Sequence, residues 1–302
     1  MTDPAHEQRR QRLIGIALMC GAVACFACLD AQAKYLVGHL DAMQVVAVRF
    51  IIAFAVALIV SNPLTRPGLL RVSRPGLQLV RGLMLISTTI FNFLAFRWLQ
   101  LDEALAILFS TPFLVAILAG PVLGEWVGWR RWIAIGVGFL GVLVVIRPGF
   151  GGMQWAALLS VAAAILYAGY SIATRMAMRH DSAETTLFCA NLVGAVIMLA
   201  VLPFVWTAPP SLLDMVLLLG VGAFGSLGHF LLILAHHRAP ASTLSPFIYT
   251  QLVWASAFGY LVFAQVPSRW TLLGSAIVVA SGLYLLNRER KAVARVAPRE
   301  PG

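Results

Sequence analysis

Asp30, Lys34 and Arg49 stand inside long apolar stretches of the sequence. A charge in such a setting is expensive, and it is kept where it is paired or where it handles a solute or a proton. Asp30 and Lys34 are four residues apart, so on a helix they share one face. Arg49 lies about seven residues into the next apolar stretch, roughly 10 Å deep at ~1.5 Å per residue. Two roles stay open for the three. In one, Asp30 neutralises Lys34 or Arg49 and holds the first two helices together; in the other, the group gates a path or touches a solute. Asn92 and His229, 137 residues apart, sit at corresponding depths in their own apolar stretches, where each would either hydrogen-bond a neighbouring helix or line a cavity. If a proton is carried, Asp30 and His229 are the groups to carry it, because an imidazole titrates near neutral pH.

Aromatic residues form a second set. Tyr167, Tyr170, Tyr249 and Trp254 fall inside apolar stretches, whereas Trp98, Trp132 and Trp270 fall at their ends, as an interfacial belt does. With Ser110, Ser171 and Gln251, the inner four would make a wall suited to a solute with apolar and polar parts; packing or lipid-facing aromatics are the competing reading. Pro112 and Pro246 each interrupt a stretch and free an upstream carbonyl from its helical partner. In lipid that carbonyl must face protein or a wet cavity. Gly120 and Gly124 form a small-xxx-small pair that allows close helix approach.

Catalysis finds little to work with. Cys25-Phe26-Ala27-Cys28 is formally a C-x-x-C, with Cys20 and Cys189 elsewhere, but no second pair and no nearby histidine completes a metal set. No catalytic residue, metal site or cofactor is therefore expected. A membrane-embedded lipid-modifying enzyme would need clustered acids or histidines; Asp30 stands alone well inside a span, and His236-His237 lie at a helix end. Arg97, Asp102 and Glu103 flank a short turn and are expected to be solvated. The chain also lacks a G-x-x-x-x-G-K-[ST] phosphate loop, which argues against nucleotide hydrolysis.

The elements that position these residues are membrane helices. The 302-residue chain is 60% hydrophobic and 11% charged, against about 25% charged for a soluble domain. With ~20 residues needed to cross a ~30 Å apolar core, the predicted spans are 13–35, 43–61, 80–99, 103–123, 130–147, 154–174, 185–206, 212–235, 241–264 and 270–287. Connections carry proline or glycine, as in Ser61-Asn62-Pro63, Arg147-Pro148-Gly149 and Pro209-Pro210. The polar segment 1–12 is read as cytoplasmic, and the apolar run after it, too long for a signal core, as an uncleaved first helix.

A net charge of +10 does not imply nucleic acid, because the basic residues sit at helix ends. Seventeen of the 22 fall on alternate connections and the termini, against four on the other side. The positive-inside rule then places both termini in the cytoplasm, consistent with an even number of spans in the inner membrane. The basic tail 288–302 serves as a topology anchor, with anionic lipid as its alternative partner.

Weak self-similarity divides the chain in two. Asn92-Phe93-Leu94 answers His229-Phe230-Leu231, Pro112-Phe113 answers Pro246-Phe247, and Arg131-Trp132 answers Arg269-Trp270. Five spans per half is an odd number, so the halves, 13–149 and 154–287, enter the bilayer from opposite faces. Such inverted repeats carry their substrate site between the halves.

The stretches Ser110-Thr111-Pro112-Phe113, Leu123-Gly124-Glu125 and Val145-Ile146-Arg147-Pro148-Gly149 resemble the first-half signature of the drug/metabolite transporter superfamily, in its ten-helix EamA group. The second half departs from it, with Gln265 where the repeat commonly has Glu. The resemblance implies an all-α polytopic carrier of a small molecule working by alternating access. Among its members, exporters of aromatic or hydrophobic amino acids are the leading match, and uptake of S-adenosylmethionine, a nucleoside or a cofactor is the alternative. Proton coupling and a facilitator driven by the solute gradient both fit, as do a monomer and a homodimer.

Overall fold

A computed structural model describes residues 4–60, 67–126, 128–147 and 155–296. The connections at Ser61-Asn62-Pro63 and Pro148-Gly149 lie outside them. The described residues form α-helices joined by short turns and two 3-10 segments. Ten helical stretches among them are long and apolar enough to cross a membrane. In chain order the helices are α1 (Pro4–Leu36), α2 (Ala42–Val60), α3 (Pro75–Ala95), α4 (Leu101–Leu108), α5 (Thr111–Leu123), α6 (Trp129–Ile146), α7 (Ala156–Ala177), α8 (Ala183–Val205), α9 (Leu212–Arg238), α10 (Ala241–Leu244), α11 (Thr250–Phe263) and α12 (Arg269–Val296).

Spans 4 and 9 are broken. α4 stops at Leu108 and α5 restarts at Thr111 with Pro112 in its first two positions, where a proline's missing N–H costs nothing. In span 9 a 3-10 segment over Ser245–Tyr249, also opened by its proline, separates α10 from α11. Both spans end in the same way. The Gly124 N–H bonds to Gly120 O and the Glu125 N–H to Ala119 O; the Ala264 N–H bonds to Tyr260 O and the Gln265 N–H to Gly259 O. Gly124 (φ 76°) and Ala264 (φ 52°) are left-handed, the geometry of a Schellman cap. Gln265 thus occupies the Glu125 position of its repeat.

Helix pairing repeats with the halves exchanged. The first span of each half lies along the third span of the other, α1 on α9 and α7 on α3. The second spans α2 and α8 pair with each other, as do the fifth spans α6 and α12. The fold is two inverted five-helix repeats. At the α6–α12 crossing, a Cβ on Gly274 would lie 2.6 Å from the Gly141 carbonyl oxygen, so the two backbones touch there.

Three boundaries differ from expectation. α1 begins at Pro4, so the polar stretch from there to Arg12 is helical and continuous with the first span. α12 continues through Val296, carrying the start of the basic tail as helix. α3 begins at Pro75 rather than residue 80, because a proline starts a helix well and the polar residues that follow are paired inside the protein. That earlier start places Arg81 in the second turn of α3 rather than at its very end.

Candidate functional site

Arg49 organises the polar residues that the helices bring together. On α2, its Nη1 donates to Thr89 Oγ1 of α3 at 2.8 Å, and its guanidinium lies 4.9 Å from the Phe50 ring centroid and 6.0 Å from that of Phe93. The Thr89 hydroxyl in turn donates to Leu85 O at 3.0 Å, so its lone pair is aimed at Arg49. Asp30 of α1 is near enough to interact electrostatically with Arg49, yet its carboxyl accepts a hydrogen bond from Gln251 Nε2 of α11 at 3.2 Å. Neither group saturates the other, since among the described residues no ion pair closes between them.

Tyr167 and Tyr170, three residues apart on α7, stack with centroids 5.6 Å apart and lie within the field of Arg49. His229 of α9 meets Phe26 of α1 edge-on at 5.0 Å and also lies within that field. The cluster thus draws side chains from six spans, three in each half. It offers one cation, one anion, amide and hydroxyl donors, and an aromatic face.

Arg81 escaped the sequence reading. It is 1% exposed, with Nη2 donating to Thr186 O, Nε to Gln78 Oε1 at 3.1 Å and Nη1 to the Tyr170 hydroxyl at 3.3 Å. Its guanidinium also lies 5.3 Å from the Tyr170 ring centroid. Arg81 thus holds Tyr170 directly, while the tyrosine pair also lies within the field of Arg49. The usable signal was the run Pro75-x-x-Gln78-x-x-Arg81, a helix start followed by two polar residues on one face.

Other expected site residues lie elsewhere. Lys34 does not pair with Asp30: its ammonium donates to Phe96 O at 2.9 Å and Leu99 O at 2.6 Å, which are carbonyls just past the end of α3. Helix ends leave such carbonyls without partners, and a cation suits them. Arg97 acts likewise beyond α1, donating to Val37 O at 2.8 Å, and Asp102 is buried; neither is simply solvated. Tyr249 packs edge-on against Phe109 at 5.1 Å, with its hydroxyl wedged at Gly282. Trp254 stacks on Phe258 of its own helix. Ser110 is buried at the α4–α5 break, and the Asn92 carboxamide oxygen is buried with no hydrogen-bond partner among the described residues. Ser171 bonds back to Tyr167 O at 2.8 Å.

Ten spans in two inverted halves, with a charged and aromatic cluster drawn from both, define a membrane transporter. The chain belongs to the EamA-like transporter family, matched over residues 13–147 and 154–288. It is 29% identical to an S-adenosylmethionine uptake transporter of Rickettsia felis, over 88% of this chain and 90% of that protein. It is 30% identical to a riboflavin transporter of Vibrio cholerae, over 92% and 95%, and 26% identical to the pseudopaline exporter CntI of Pseudomonas aeruginosa, over 90% and 95%. A solved crystal structure superposes with a TM-score of 0.63 at 18% identity, covering 92% of this chain and 98% of that one, and supports the fold alone.

Proposed function

We propose that the protein is a secondary carrier for an amphipathic zwitterion, S-adenosylmethionine in first place, moved inward across the inner membrane by alternating access of the two halves. The observation that carries this reading is the pairing of unsaturated opposite charges, Asp30 and Arg49, beside the stacked Tyr167–Tyr170 pair. S-adenosylmethionine presents a carboxylate for Arg49, ammonium and sulfonium cations for Asp30, and an adenine for the tyrosine faces, where cations are also favoured. Aromatic amino acids, the leading expectation from sequence, share the zwitterion but not the second cation. The similarity to S-adenosylmethionine uptake transporters favours the uptake alternative. Riboflavin is the second reading, favoured by the Vibrio relative and by the aromatic face, and it would leave the charge pair unused.

Both termini are assigned to the cytoplasm. With Arg81 inside α3, sixteen basic residues remain on the side of the termini against four on the other, so the bias survives the correction. Counterflow in proteoliposomes tests the substrate: vesicles loaded with S-adenosylmethionine should accumulate labelled S-adenosylmethionine. Exchange of riboflavin or phenylalanine with none of S-adenosylmethionine would overturn the reading. An imposed pH gradient separates the two energetics, since a facilitator shows the same accumulation with and without it.

A further inference from the structure

α6 and α12, the fifth spans of the two repeats, are joined by the Ser281 hydroxyl, which donates to Ala134 O. Between their outer faces runs a groove of about 550 Å³, lined by Trp129, Arg130, Ile133, Val137, Ala280 and Tyr284. Its walls are exposed and apolar, with Trp129 67% and Ile133 56% accessible. The groove begins at the first turn of α6 and reaches Val137, about 12 Å at ~1.5 Å per residue, which is most of one leaflet of a ~30 Å apolar core. At its mouth the Arg130 guanidinium lies over the Trp129 ring, 5.2 Å from the centroid. Among the described residues no carboxylate pairs with Arg130, and Arg131 follows it in sequence.

We infer that this groove binds an anionic phospholipid, with one acyl chain between α6 and α12 and the phosphate on Arg130. Charge and depth agree on the occupant. The mouth lies on the side of the termini, where most basic residues gather, and anionic headgroups collect at such surfaces. Trp129 and Tyr284 occupy the headgroup level that amphipathic rings prefer. A zwitterionic headgroup carries its own cation beside the phosphate, which competes with the Arg130 guanidinium, whereas a net-anionic headgroup leaves its full charge to it. Because each repeat supplies one wall, a bound lipid joins the two halves from outside, away from the Asp30–Arg49 cluster.

The test is lipid retention by the purified full chain, exchanged in mixed micelles offering equal phosphatidylglycerol and phosphatidylcholine, and read by native mass spectrometry. Wild type should retain phosphatidylglycerol about fivefold over phosphatidylcholine, the preference expected of one basic contact. Arg130→Gln should erase the headgroup preference, and Ala280→Phe, which fills the groove from an exposed position, should lower retention of both lipids. Unchanged elution profiles and melting temperatures confirm that both variants fold. Equal retention of the two lipids by wild type would overturn the proposal, as would full retention in Ala280→Phe. So would cross-linking of Val137→Cys between two copies of the chain, which would show a protein partner covering the groove.

Discussion

Gln251 on α11 donates to Asp30 on α1 at 3.2 Å, joining the second repeat to the first at the polar cluster. The amide fixes the carboxyl without bringing a countercharge of its own, which under the proposed function leaves it for a cationic solute. Asp30→Asn keeps the side-chain shape and removes the charge. A hydrogen bond to a charged group contributes about 1.5–3 kcal/mol, so the KM for S-adenosylmethionine should rise by roughly tenfold or more. Riboflavin, which lacks the cation, serves as the control in the same counterflow assay. An unchanged S-adenosylmethionine KM would remove Asp30 from the binding site.

Arg49 offers a planar fork to a carboxylate, which a lysine cannot reproduce. Its Nη1 is fixed by Thr89 at 2.8 Å. Arg49→Lys should therefore cost transport about tenfold while the protein still folds. Thr89→Val leaves a buried donor without its acceptor and should lower stability by about 1–3 kcal/mol, read as a fall in melting temperature in detergent. Wild-type exchange by Arg49→Lys would show that only the charge matters.

Asp30 and Arg49 were legible in the sequence because a charge inside an apolar run is conspicuous and costly. The number of spans was legible for the same reason, since each has its own apolar run. Lys34 shows the limit of such reading. The i,i+4 spacing gave it a shared face with Asp30, but which neighbour ends beside that face is a tertiary fact, and here it is the C-terminus of α3. Arg81 was hidden by its surroundings: Arg71, Ser73, Arg74 and Gln78 lower the local hydropathy until the start of span 3 looks like a loop. Thr89 carries no signal of its own, because threonines in apolar helices usually bond back to their own turn. The rotation that takes Tyr249 into packing against Phe109 depends on the 3-10 segment that it ends, which a regular helical projection of span 9 does not anticipate.

Lys34→Met separates the cap from the ion pair. Methionine keeps the apolar stem and abandons the Phe96 and Leu99 carbonyls, so stability should fall by about 1–3 kcal/mol. The S-adenosylmethionine KM should not move. If Lys34 and Asp30 do not interact, the stability losses of Lys34→Met and Asp30→Asn should add within about 0.5 kcal/mol in the double variant. Strong non-additivity would restore the ion pair.

Asp181, in the turn between α7 and α8, predicts an acid limb of stability. Burial alone would raise its pKa, but bonds from Gln78 Nε2 and Ser73 N–H, each at 2.8 Å, outweigh that effect and hold the carboxyl below its ordinary range. The unfolded chain therefore takes up this proton first as pH falls, near the usual value of ~3.9. The stabilisation is fully present above that pH and is lost as pH drops through the folded value. Melting temperatures measured from about pH 6 to about pH 3 should fall more steeply for wild type than for Asp181→Asn. Parallel curves would mean that Asp181 contributes nothing to the acid limb.

The two matched helix ends make the last prediction. Gly124 and Ala264 close α5 and α11 with the same pair of backbone bonds, but only the first is a glycine. A left-handed conformation costs an L-residue about 1–2 kcal/mol, and glycine escapes that penalty. Glycine also widens the unfolded ensemble, which offsets part of the gain. Ala264 is exposed, so its methyl contributes little packing. Ala264→Gly should therefore raise stability by about 1 kcal/mol, while Gly124→Ala, which meets no neighbour within 4 Å, should lower it by a similar amount through backbone strain alone. Thermal unfolding of both variants in one detergent checks the pair, and a loss of stability in Ala264→Gly would show that the αL strain is not what limits that helix end.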